Sequence, residues 1–174
     1  MRNFLSFLLL MVLVSGCSRL EVSVDYDDTY NFNKASTIVV SHENKANDNT
    51  LFSDRIIKAL NSNLESKNYK RASEKEADLI FVFHTNVADK TQVSTEYISM
   101  GRGYRFGGMM ASTSSYDYRE GTIVIDALNP KTKKIVWRGI GTKELSQKNT
   151  PQEKTQAITR VIDKIMEKFP ARQN

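Results

Sequence analysis

Apolar and polar positions follow recognisable periods along most of the chain. Leu20, Val22, Val24 and Tyr26 alternate with Glu21, Ser23 and Asp25, which predicts a strand with one buried face. Asp27 to Ala35 is polar and turn-like, and Thr37 to Ser41 is a short β-branched strand. After a polar loop over His42 to Asn49, apolar residues at Leu51, Phe52, Ile56, Ile57, Leu60 and Leu64 line one face of a helix over Leu51 to Lys67. Asn49 or Thr50 is placed to cap its start, and Asn68 suits the left-handed position after its end. Leu79 to Phe83 is continuously apolar, as in a central strand covered on both faces or nearly so. Asp89-Lys90 reads as a tight connection to a weaker alternation over Thr91 to Ser99, with Val93, Thr95 and Tyr97 on one side.

Met100 to Tyr116 breaks the pattern with Gly101, Gly103, Gly107 and Gly108, followed by Ser112 to Ser115, and reads as a long mobile loop. Thr122 to Leu128 and Lys134 to Thr142 form a hairpin around Asn129-Pro130-Lys131. Trp137, Gly139 and Gly141 share one face there, which marks the helix-covered side. The last helix is announced by Thr150 and Glu153 in capping-box spacing with Pro151 between them. Ile158, Val161, Ile162, Ile165, Met166 and Phe169 then recur at helical spacing until Pro170. The expected fold is α+β: a mostly antiparallel sheet with two main helices packed on one face, in the order ββαββββα, as a single domain over residues 20–174.

The first residues carry a different signal. Met1-Arg2-Asn3 is short and positive, and Phe4 to Val14 is apolar except for Ser6. Eleven helical residues reach about 16 Å, too short for a hydrocarbon core of about 30 Å. Length and flanks fit a secretory signal peptide over residues 1–16. Leu13-Val14-Ser15-Gly16-Cys17 is similar to the bacterial lipobox, in which an apolar residue and two small residues precede a cysteine that takes up a diacylglyceryl group. Cys17 is the expected lipidation site, carrying two or three fatty acyl chains such as palmitate. One such chain binds a membrane only marginally, and two or more bind it durably. Ser18, rather than Asp, after the cysteine favours the outer membrane, facing the periplasm. Residues 17–19 leave a very short tether, so the first strand is expected close to the bilayer.

Composition narrows the function classes. The chain has 174 residues and a formal net charge of +5, part of which leaves with Arg2. That modest excess does not point to nucleic acid, whose binders cluster their basic residues. Cys17 is the sole cysteine, so no internal disulfide forms.

Val24-Asp25-Tyr26-Asp27, Ala77 to Val82, Gly121 to Asp126, Lys133 to Gly139 and Ile165 to Pro170, with Val136-Trp137-Arg138-Gly139 the most distinctive, form a set spread over nearly the whole mature chain. Together these segments resemble a bacterial lipoprotein family catalogued as domain of unknown function 4136. The resemblance implies fold and cellular placement. It carries no catalytic signature.

Candidate chemistry is sparse. His42 and His84 are the two imidazoles, and His84, ending the apolar strand, reads as a core or rim histidine. Neither a nucleophile elbow nor a histidine–glutamate helix motif is present. The glycine-rich stretch over 101–108 lacks the spacing and the following helix of a phosphate loop. Asp25, Asp27, Asp28 and Asp126 lack calcium-loop spacing and read as turn and edge charges. No catalytic residue, metal or cofactor is therefore expected. Tyr97, Tyr104, Phe106, Met109, Met110, Tyr116 and Tyr118 gather around the expected loop with Arg102, Arg105 and Arg119. These residue types are enriched at interface hot spots. Arg102, Tyr104, Arg105, Phe106, Met109 and Tyr116 are thus the candidate contacts for an envelope protein, glycan or lipid partner. The leading expectation is a non-enzymatic, membrane-anchored envelope lipoprotein acting through this region. A periplasmic module binding a small apolar or lipid ligand between sheet and helices is the alternative, and a cell-wall hydrolase the least favoured.

Overall fold

The computed structural model describes residues 20–42, 50–99, 109–145 and 150–172. The strands are β1 (Leu20–Tyr26), β2 (Thr37–Ser41), β3 (Lys70–Arg71), β4 (Leu79–Ser99), β5 (Met109–Leu128) and β6 (Ile135–Glu144). The helices are α1 (Thr50–Ser66) and α2 (Pro151–Met166), with a single 3-10 turn at Phe32–Lys34. One six-stranded sheet has the order β1-β6-β5-β4-β2-β3. The β1–β6, β6–β5 and β5–β4 pairs are antiparallel. The β4–β2 and β2–β3 pairs are parallel, because α1 carries the chain across after β2. The α+β order ββαββββα is therefore present in one domain.

Both helices cover the same face. Phe81, Ile125, Trp137, Ile38 and Leu79 meet Ile56, Leu60, Leu64, Ile162, Ile165 and Met166, all fully buried. Glycines at 139 and 141 make this contact close: a Cβ on either would come within 3.0 Å of Ile165. The sequence expectation for that face holds. Phe169, just past α2, is the hub of the core, with ring centroids 5.2 Å from Phe81, 5.2 Å from Trp137, 5.6 Å from Tyr69 and 5.7 Å from Phe32.

The helix ends form as their residues dictate. Thr150 Oγ1 accepts from the Glu153 N–H at 3.2 Å, and the Glu153 carboxylate accepts from the Thr150 N–H at 2.7 Å. Asn68 takes φ 69° after α1, and the Tyr69 N–H turns back to the Leu64 carbonyl at 3.1 Å. Thr50 is the first helical residue of α1, and Asn49 lies outside the described residues.

Three expectations need correction, and one element was unforeseen. The strand β3 has only two residues and no periodicity to betray it; pairing with β2 alone defines it. Leu79 to Phe83 and Thr91 to Ser99 are not two strands joined at Asp89-Lys90 but one continuous β4. Asp89 and Lys90 sit in the ladder opposite Arg119 and Tyr118, where both faces are open to solvent and charge is tolerated. The expected loop over Met100 to Tyr116 is strand from Met109 onward. Finally, no described element covers the second face of the sheet. Ile80, Val82, Val124 and Ile140 occupy it by register, with Asp126 and Arg138 between them.

Candidate functional site

Beyond the sheet, β4 and β5 continue alone. They pair over twenty rows, from Ile80↔Leu128 to Ser99↔Met109. The pairing of β2 with β4 ends at Val82, and that of β6 with β5 ends at Glu120. The outer eleven rows, from Asp89↔Arg119 to Ser99↔Met109, therefore form a two-stranded ribbon; the Leu145 N–H still donates to the Arg119 carbonyl at 2.8 Å in the first row, and from Lys90↔Tyr118 outward both edges are unpaired among the described residues. At about 3.4 Å per residue it reaches roughly 34 Å. Every residue over 89–97 and 111–117 is exposed, including Val93 (63%), Tyr97 (69%) and Tyr116 (60%).

Local chemistry explains why these residues pair. Thr91, Val93, Thr95 and Tyr97 favour a pleated backbone. Cross-strand pairs add to this: Thr91 Oγ1 donates to Asp117 Oδ1 at 2.7 Å, Thr95 and Thr113 hydroxyls meet at 3.3 Å, and Arg119 lies 3.5 Å from Asp89. Tyr116 and Tyr118 stack with centroids 6.1 Å apart. The Tyr116 hydroxyl donates to Glu144 at 3.1 Å, and that bond, with the carboxylate's charge, raises the phenol pKa above its usual value. A two-stranded ribbon in water is marginally stable, and its open edges invite further pairing.

The register gives the ribbon two unlike faces. One presents Thr91, Val93, Thr95 and Tyr97 with Ala111, Thr113 and Ser115, its charges confined to the basal rows at Asp89, Asp117 and Arg119. The other presents Lys90, Gln92, Ser94 and Glu96 with Ser112, Ser114, Tyr116 and Tyr118. The ribbon leaves the sheet at a row that also contains the start of β1, because Leu20 pairs with Lys143, Lys143 with Gly121 and Gly121 with Val87.

Of the residues singled out from sequence, Tyr116 is on this ribbon as a strand residue rather than in a loop. Met109 opens β5, and its side chain lies outside the described residues, as do Arg102, Tyr104, Arg105, Phe106 and the lipidation candidate Cys17. His84 is not in the core; it is exposed on the bare face, opposite Val124. His42 stacks on Phe83 at 4.3 Å and shares a hydrogen bond of 3.1 Å with Ser53. Among the described residues no three His, Cys, Asp or Glu side chains converge on a metal position. Asp27 accepts from the Thr29 hydroxyl at 2.6 Å and N–H at 2.9 Å, which lowers its pKa and closes a turn. No described helix is long and apolar enough to cross a membrane. Among the described residues the space between sheet and helices is occupied by the packed side chains of the core, and a depression lined by Glu65, Asn68, Tyr69, Lys70, Arg71 and Arg172 is polar and open.

Two polar arrangements were not legible beforehand. Asp126, expected as a turn or edge charge, is instead 3% exposed within the interior strand β5, where its carboxylate receives Arg138 Nε at 2.6 Å and Nη2 at 2.7 Å. Asp78 accepts from the N–H groups of Ser36 and Thr37 at 2.8 and 3.0 Å and from their hydroxyls at 3.1 and 3.0 Å, joining the starts of β2 and β4. Burial pushes this carboxyl up, and the four hydrogen bonds outweigh it, holding its pKa below the usual range.

Comparison with solved structures places the fold. A PDZ domain protein from Parabacteroides distasonis ATCC 8503 is similar with a TM-score of 0.58 at 10% identity, over 99% of this chain and 41% of that one. A point variant of the PelC dodecamer from Paraburkholderia phytofirmans is similar with a TM-score of 0.54 at 12% identity, over 89% of this chain and 100% of that one. This chain thus spans less than half the length of the first and the whole length of the second. No curated protein matches. The family match runs over residues 22–171, nearly the whole described chain, and the protein belongs to DUF4136, a domain of unknown function.

Proposed function

We propose that this protein is a non-enzymatic envelope lipoprotein, cut before Cys17 and held there by acyl chains in the outer membrane, facing the periplasm. Its contact element is the β4–β5 ribbon. The observation that carries this reading is the ribbon itself: eleven rows, ten of them with bare edges among the described residues, and exposed Val93, Tyr97 and Tyr116, which contribute nothing to the domain's own core. A chain gains little from holding so much strand in water unless another surface pairs with it. The filled interior gives no support to a ligand held between sheet and helices. The fold also occurs in PelC as a dodecamer, which fits a module whose edges meet neighbouring subunits.

In-cell photo-crosslinking tests the contact. A photoreactive residue replacing Tyr97 is expected to give a discrete crosslinked product, with none from exposed Lys58 on α1. Equal yields from both positions would remove the ribbon's special role. Metabolic labelling with a fatty acid tests the anchor. Label is expected in the native chain and absent from Cys17→Ala.

A further inference from the structure

We propose that the ribbon is a membrane-inserting hairpin, and that several copies of this chain align their ribbons edge to edge into a closed transmembrane β-barrel. The inference rests on the lipid anchor proposed above, and four observations carry it.

The first is length. A membrane-crossing β-strand needs about 9–11 residues when tilted, and the ribbon has ten free rows, from Lys90↔Tyr118 to Ser99↔Met109, beyond the one that Leu145 ties to the sheet. The second is position. β1 and β5 run in the same direction, each antiparallel to β6, and Leu20 lies in the row of Gly121. The chain before Leu20 and the ribbon therefore leave from the same end of the sheet. Cys17 precedes Leu20 by three residues, a reach of about 10 Å. Acyl chains there bring that end against the bilayer, and a ribbon of about 34 Å departs from the same place.

The third is the division between faces. From the row Val93↔Ser115 to the row Tyr97↔Ala111 one face carries no charge, whereas the other carries Ser94, Glu96, Ser112 and Ser114, with Gln92 opposite Tyr116 one row nearer the base. A barrel wall needs this alternation, apolar or neutral toward lipid and polar toward the lumen. Asp89, Asp117 and Arg119, at the base of the neutral face, would stand at headgroup level. The fourth is the pair of open edges. Unpaired backbone is not tolerated in hydrocarbon, so only a closed barrel can enter. Each ribbon offers the β4 edge on one side and the β5 edge on the other. The β4 edge of one copy meets the β5 edge of the next antiparallel, and rotation of this head-to-tail contact closes a ring. The second partner of each strand is thus another copy of this chain.

The test uses the lipidated full-length protein in phosphatidylethanolamine–phosphatidylglycerol vesicles. Single cysteines replacing Val93, Ser94, Thr95, Glu96 and Tyr97 carry an environment-sensitive fluorophore. Positions 93, 95 and 97 are expected to be blue-shifted and quenched by spin-labelled acyl chains. Positions 94 and 96 are expected to remain aqueous and quenched by iodide. Planar bilayers of the same lipids should show discrete conductance steps, abolished by Thr95→Glu and altered in ion selectivity but retained by Ser94→Lys. Five aqueous positions in protein that floats with the vesicles would overturn the inference and leave the anchor standing. Alternation without conductance would overturn closure. If the native chain floats no better than Cys17→Ala, the anchor fails and the inference falls with it.

Discussion

At the scale of single residues, the Asp126–Arg138 pair is the most sensitive point on the bare face of the sheet. The carboxylate is almost wholly buried while the guanidinium side chain is 44% exposed, so the arginine acts as its cover as well as its partner. Arg138→Ala removes the partner but also opens the carboxylate to water, so the cost is about 1–3 kcal/mol, below that of breaking a fully buried pair. Arg138→Ala is therefore expected to lower unfolding stability by that order in urea titration. A paired replacement, Asp126→Leu with Arg138→Met, should recover most of the loss, because it removes the buried charge as well.

Asp78 gives a pH signature. Its folded pKa is lowered, so its contribution is fully present above the ordinary carboxylate range and is lost as pH falls through the folded value. Asp78→Asn is expected to lose about 1–2 kcal/mol at pH 7, toward the lower end because the site is partly solvated. In urea titrations, the gap between the native chain and this variant should narrow at pH 3. Neither residue announced its role in the sequence, since each takes its meaning from partners across a strand pair or across 41 positions.

At the scale of elements, what could be read ahead followed periodicity. α2 came through from cap to hub, because Thr150, Pro151, Glu153 and the apolar stripe from Ile158 to Phe169 all act within one helix and its immediate end. β1 was legible from its alternation, although Tyr26 at its end is exposed. The ribbon was not. Its Ser112 to Ser115 segment has no buried face to impose a period of two, so it looked like loop, and Asp89-Lys90 looked like a turn. The signal that remained was Thr91, Val93, Thr95 and Tyr97 on one side, facing a run of serine and threonine that can pair with them. Because the described ribbon side chains make no core contacts, joining Ala88 to Glu120 through an Asn-Gly turn is expected to leave the melting temperature essentially unchanged. A large fall would mean the ribbon stabilises the domain, and its role as a free arm would be wrong.

At the scale of the whole molecule, the fold keeps packing and contact apart. Packing is concentrated on one face, around Phe169 and Trp137, where both helices close over the sheet. Contact capacity lies at one end, where the ribbon extends from the row that also holds Leu20. In the reading proposed above, that end carries the contact and the packed face carries the stability.

Hydrogen exchange on the ribbon is the measurement that bears most directly on its role as the contact element. The native chain would be compared in envelope membranes and as a purified monomer in detergent. Amides facing the open edges over 89–99 and 109–119 are expected to exchange rapidly in the monomer and to become strongly protected in the membrane preparation, while α2 stays protected in both. Equally rapid exchange of the ribbon in both preparations would mean that nothing pairs with it, and would contradict its assignment as the working surface of this protein.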